Sequence, residues 1–179
     1  MRRRTGLTLV MLISGALAVL AVGSYATADS GKKNVSTGAM SGYLEGAPGG
    51  PVSSAAGGSF EATIADASSE IGFTLTYANL EAPVLFAHIH FGQRGVNGGV
   101  AAFLCGGGGK PACPQSGTVT GTVVPADVIG PAGQGIAAGE FDELVAAIRA
   151  GRTYANVHSS KFPSGEIRGQ INDDNQRDD

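Results

Sequence analysis

Tryptophan is missing from this chain, cysteine occurs twice and histidine three times. Basic residues are scarce as well, with 12 Lys and Arg against 15 Asp and Glu. No basic patch is visible, which argues against nucleic acid or an anionic membrane surface as partner. Two cysteines permit a single disulfide, and their spacing in "CGGGGKPAC" is not the CxxC of a redox or metal pair. The glycines before Lys110 lack the following serine or threonine and the helix start of a phosphate-binding loop. No Gly-x-Ser-x-Gly elbow occurs, and Ser159 and Ser160 beside His158 have no evident triad partner.

Long apolar runs are equally rare, and the one present stands at the N-terminus. Arg2, Arg3 and Arg4 precede an apolar stretch from Leu7 to Val22, and Ala26-Thr27-Ala28 offers small residues at the spacing a signal peptidase reads. That stretch falls short of the ~20 residues a membrane span needs. Residues 1–28 therefore read as a cleaved signal peptide that leaves no stable membrane anchor. The expected destination is the periplasm, the cell surface or the medium. Cleavage removes three arginines, so nine basic residues face fifteen acidic ones, a net charge near −6. In an exported protein, Cys105 and Cys113 are expected to form a disulfide, worth about 2.5 kcal/mol in the chain-entropy estimate.

What the chain has in plenty is glycine, 29 residues of it, and short apolar runs between turn signals. Candidate strands lie at 41–46, 59–65, 70–80, 84–91, 99–105, 117–124, 153–159 and 165–171, separated by stretches such as APGGP, RGVNGG, GPAGQG and KFPSG. The pattern predicts an all-β fold, an antiparallel Greek-key β-sandwich or barrel of superoxide dismutase-like or immunoglobulin-like type, with about eight strands. One segment departs from it. Phe141, Leu144, Val145 and Ile148 make a helical stripe, with acidic residues in its first turn, Arg149 in its last and Gly151 to end it. This predicts one short crossover helix whose stripe packs on the core. The mature chain then divides into a flexible lead-in over 29–40, one domain over 41–172 and a disordered polar tail over 173–179.

Two of the three histidines stand two apart in "FAHIHFGQRG" and the third in "YANVHSSKFPSGEIRGQ". Side chains alternate between the faces of a strand. Leu85, Ala87, Ile89 and Phe91 form an apolar core face, which sends His88 and His90 to the other. Ala155 and Val157 pack inward, so Tyr154, Asn156 and His158 point outward. Ile167, Gly169 and Ile171 likewise leave Glu166, Arg168 and Gln170 outside as candidate neighbours of His158. By parity all three histidines lie on the outer face of the sheet. Residues two apart on a strand can lean onto one ion with metal–nitrogen bonds of about 2.0–2.1 Å. A third imidazole completes a site suited to copper, zinc, iron or nickel. The bland alternative is three surface histidines with ordinary hydrogen bonds.

The stretch "AHIHFGQRGVNGGVAAFLC", followed by "GRTYANVHSSKFPSGEIRGQI", resembles the CHRD domain, named after chordin and also found alone in exported bacterial proteins. The likeness runs from about Tyr43 to Ile171 and implies an extracellular β-sandwich module; chordin itself binds secreted growth factors. The family often has an acidic residue and two prolines before a valine near its start, where this chain reads "EGAPGGPV". A weaker likeness, of "FAHIHFG" and "GRTYANVH", is to the copper-binding strands of Cu/Zn superoxide dismutase. It implies that His88, His90 and His158 match copper ligands, with Arg168 near the metal as an anion guide. No histidine is left to bridge copper and zinc.

The reading is thus a secreted, single-CHRD-domain binding module with a metal site of His88, His90 and His158. Copper is its ion, zinc the alternative, and Tyr154, Glu166 and Arg168 surround the ligands. The first alternative is a metal-free module for extracellular protein or polysaccharide. The second is a copper redox enzyme, which lacks an evident acid or base beyond those three neighbours, so no catalytic residue is assigned.

Overall fold

Short runs of alternating polarity punctuated by glycine and proline favour strands joined by tight turns. The protein, seen in a computed structural model that describes residues 32–41, 51–65, 67 and 69–173, realises that pattern. Its strands are β1 (Lys32–Ser41), β2 (Gly57–Ala65), β3 (Glu70–Ala78), β4 (Val84–Phe91), β5 (Gly99–Cys105), β6 (Gly117–Val123), β7 (Thr153–Ser159) and β8 (Ile167–Asp173). Every neighbouring pair is antiparallel, and the ladder runs β5-β4-β7-β8-β1-β2-β3-β6. It folds over itself as a sandwich, with β5 and β6 at its two ends, so no closed barrel forms. The pairing of β3 with β6 and of β4 with β7 is the Greek-key crossover predicted.

The interior is built by the alternation. Phe60, Ile64, Ile71, Leu75 and Tyr77 from β2 and β3 face Ala87, Ile89, Leu104, Ala155, Val157, Ile167 and Ile171 from β4, β5, β7 and β8, all of them buried. Between β6 and β7 lies α1 (Phe141–Arg149), whose predicted stripe of Phe141, Leu144, Val145 and Ile148 is buried in this core. Gly151 follows the helix at a left-handed φ of 62° and donates to Ile148 O at 3.0 Å, as a C-terminal cap requires. Burying each such side chain contributes roughly 1.5–3 kcal/mol. Cys105 and Cys113 form the expected disulfide, with Cα atoms 5.1 Å apart. Among the described residues, no helix is long and apolar enough to cross a membrane.

Two local expectations change, and a third falls outside the described residues. Lys32–Ser41, most of it read as a polar lead-in, is strand β1, hydrogen-bonded to β2 on one side and β8 on the other. Its pairing is non-local backbone chemistry, which "KKNVSTGAMS" does not advertise through apolar alternation. The first candidate strand, 41–46, lies outside the described residues apart from Ser41, as do the signal peptide, the start of the lead-in and the tail beyond Asp173. Leu85, placed on the core face by parity, is 38% exposed. A register irregularity between Val84 and Phe86 breaks the alternation there.

Candidate metal centre

The β4–β7 register decides which side chains meet. Phe86 stands opposite His158, His88 opposite Asn156 and His90 opposite Tyr154, while Arg168 and Gln170 on β8 stand opposite Asn156 and Tyr154. Because alternate residues share a face, these pairs make one continuous patch. The three imidazoles converge in it. His88 and His158 have ring centres 4.8 Å apart, His88 and His90 5.3 Å, His90 and His158 5.7 Å. One nitrogen from each ring lies within 4.8 Å of the other two.

The predicted outer face is not a solvated one. His88, His90 and His158 are only 4%, 5% and 4% exposed. Two segments that strand parity cannot see roof the patch. The β4–β5 loop lays Gly92, Gln93, Val96 and Gly98 over it, and the β7–β8 turn brings in Pro163. Aromatic rings close the remaining sides. Phe86 packs on His88 and His158 at 4.9 and 4.8 Å, Phe103 meets His88 edge-on at 4.3 Å, and Tyr154 stacks on His90 at 4.8 Å.

The hydrogen bonds fix which nitrogens remain as ligands. A carbonyl only accepts, so His90 Nδ1 donates to Gly98 O at 2.9 Å and His158 Nδ1 donates to Pro163 O at 3.0 Å. In the neutral rings both Nε2 atoms then carry lone pairs. His158 Nε2 sits 3.1 Å from His88 Nδ1, while the Nε2 atoms of His88 and His90 are buried without a partner among the described residues. Burial pushes all three pKa values down, to about 3 for His88 and about 4 for His90 and His158. The other two imidazoles press His88 further down. The Gly98 and Pro163 bonds partly offset burial at His90 and His158. The rings are therefore neutral at ordinary pH, the form that binds metal.

The residues expected around the ligands divide. Tyr154 belongs to the patch, flat against His90, and its hydroxyl accepts from Gly98 N at 3.2 Å. Arg168 lies on the far face of that ring, its guanidinium 3.4 Å from the ring centre, and donates to Val96 O and Gln93 O at 3.2 and 3.3 Å. These two bonds make it the latch of the β4–β5 loop. Gln170 adds a bond to Gly92 O at 2.9 Å. Glu166 is elsewhere. Its carboxylate accepts from Ser54 Oγ at 2.6 Å, from Ser159 Oγ and from Glu81 N at 2.9 Å. Strand β8 begins one residue later, at Ile167, so parity does not extend to Glu166, and Ser159 lies on the opposite side of β7 from His158.

Sequence reasoning passed over Phe103, Gly98 and Pro163 as parts of the site. Gly98 had a readable signal, the NGG run that closes the loop. A Cβ there would fall 1.6 Å from Phe91 O, so only glycine lets the strand return at this point and offer its carbonyl to His90.

A family model described as the CHRD domain matches residues 36–171, most of the chain and all of the patch. No curated protein and no solved structure matches the sequence.

Proposed function

From the premise that this chain belongs to the CHRD-domain family, a family of binding modules, we propose that it is an exported module whose own ligand is a single transition-metal ion held by His88, His90 and His158. The observation that carries the reading is the 3.1 Å between His88 Nδ1 and His158 Nε2, with the free Nε2 of His90 in the same cluster. Two nitrogens bound to one ion at about 2.0–2.1 Å keep close to that separation. The donor set fits the ion. Three neutral imidazoles without a carboxylate suit copper first and zinc second, and the ion would give the orphaned buried lone pair of His90 Nε2 a use. Gly98 O and Pro163 O would orient two of the ligand rings, as outer hydrogen bonds do in metal sites.

The dismutase likeness extends to these three ligands and stops there, because they are the chain's whole histidine content. Metal binding, carriage or sensing is therefore the function proposed, with copper as the ion and export through residues 1–28 as its setting. The test is a Cu(II) titration of the purified protein, followed by electron paramagnetic resonance, with His88→Ala and His158→Ala alongside. One equivalent bound through nitrogen ligands, weakened more than about 100-fold in either variant, is expected, since even outer partners of such sites are worth about 10–100-fold. Weak binding that the substitutions leave unchanged would overturn the reading. The protein would then be a metal-free module for extracellular protein or polysaccharide.

A further inference from the structure

Asn156 occupies the centre of the histidine patch, and nothing among the described residues uses its amide. The residue is 1% exposed, and neither its Oδ1 nor its Nδ2 has a hydrogen-bond partner. A buried amide left unpaired costs about 1–3 kcal/mol, so an apolar side chain of this size would serve the fold better. The surrounding chain nevertheless makes room for it. Gly165, in the β7–β8 turn at φ 120°, would bring a Cβ within 2.5 Å of Nδ2 and 2.6 Å of Oδ1, so any larger residue there would displace the amide. The register sets Asn156 directly across from His88 on one side and Arg168 on the other, with His158 two residues on along the same face. Side chains paired across strands in this way are about 4.5–5.5 Å apart at Cβ.

Charge names the class of guest. A divalent ion on three neutral imidazoles keeps its full charge, and the metal-ligating cluster contains no carboxylate among the described residues. Glu166 spends its carboxylate on Ser54, Ser159 and Glu81 N. Positive charge gathered in a water-poor site calls for an anion beside it. We propose that Asn156 is the hydrogen-bond donor for a small anion, of hydroxide or pseudohalide size, that binds next to the ion held by His88, His90 and His158. The inference rests on the metal reading above and adds to it an anion subsite with a named recognition group.

The experiment is an azide titration of the Cu(II)-loaded protein, read by the azide-to-copper charge-transfer absorption and by paramagnetic resonance. Wild type is expected to bind one azide saturably. Asn156→Ala should weaken azide at least about tenfold, the worth of one hydrogen bond to a charged group, while copper affinity stays within about threefold. Asn156→Asp, of nearly the same shape, sets a fixed carboxylate there and should abolish azide binding; it serves if the truncation does not fold. Azide affinity within about twofold of wild type in Asn156→Ala overturns the proposal. So does a wild-type copper centre that ignores azide, which requires no variant at all. A wild type that takes up no copper shows itself before azide is added, and brings down the metal reading and this subsite together.

Discussion

His88 Nδ1 and His158 Nε2 lie 3.1 Å apart although seventy residues of chain separate them. The antiparallel pairing of β4 with β7 joins them, and the wrapping of Phe86 around both rings keeps water from the contact. If the ion takes the place of the proton these two nitrogens share, binding links two strands that are already neighbours and little reorganisation is needed. Metal should then stabilise the native protein by mass action. A hundredfold excess of free Cu(II) over its dissociation constant is expected to add about 2.7 kcal/mol, seen as a rise in Tm by calorimetry. His158→Ala should show no such rise. Equal shifts in the two proteins would point to nonspecific binding.

The burial of the same rings sets the pH dependence. In the unfolded chain each histidine protonates near 6.5, whereas the native rings stay neutral until about 3 to 4. Below pH 6.5 the unfolded state therefore binds more protons, and stability falls with pH. Their contribution is intact above pH 6.5 and lost as pH drops through about 4. Tm of the metal-free protein should be flat on the alkaline side of 6.5 and decline between 6.5 and 4. His158→Gln should make that decline shallower. For the same reason Cu(II) should still bind at pH 5.5, where protons would outcompete it at exposed histidines. Loss of binding in step with a pKa of 6.5 would contradict the burial described.

Much of this arrangement was legible in the sequence because strand parity is a local rule. Alternation alone put His88, His90, Tyr154, Asn156, His158, Arg168 and Gln170 on one face, and the structure agrees for each of them. Parity could not say what covers that face. The roof is the β4–β5 loop, held by bonds from Arg168 and Gln170 to backbone carbonyls, and carbonyls carry no sequence signature. Glu166 was misplaced for a related reason, since the alternation holds only inside the strand and β8 starts after it. Strand β1 escaped notice because two-sided backbone pairing can hold a polar segment in a sheet.

That roof makes a prediction of its own. Arg168 holds Gln93 O and Val96 O while stacking on Tyr154, which in turn lies flat on His90. Lysine cannot reproduce the fork of donors or the planar stack. Arg168→Lys keeps the charge yet should free the loop, with faster amide hydrogen exchange at Val96 and Gly98. It should also weaken Cu(II) binding about tenfold, through His90 losing its fixed Gly98 partner. If charge rather than grip is what matters, Arg168→Lys will behave as wild type and Arg168→Gln will not.

The disulfide offers a control on the far side of β5. Cys105 lies at the end of that strand, its side chain buried in the sandwich core, and the loop it closes with Cys113 contains none of the patch residues. Replacing both cysteines by serine should lower stability by about 2.5 kcal/mol from loop entropy, and by somewhat more because a hydroxyl then enters the apolar site of Cys105. Cu(II) affinity should stay within about threefold, since His88 to His90, their β7 partners and the roofing loop are all held by other contacts. Chemical denaturation and a copper titration of the double variant measure the two quantities separately. A large loss of affinity at native-like temperature would mean that β5, through Phe103 against His88, transmits the strain of an open loop to the ligands.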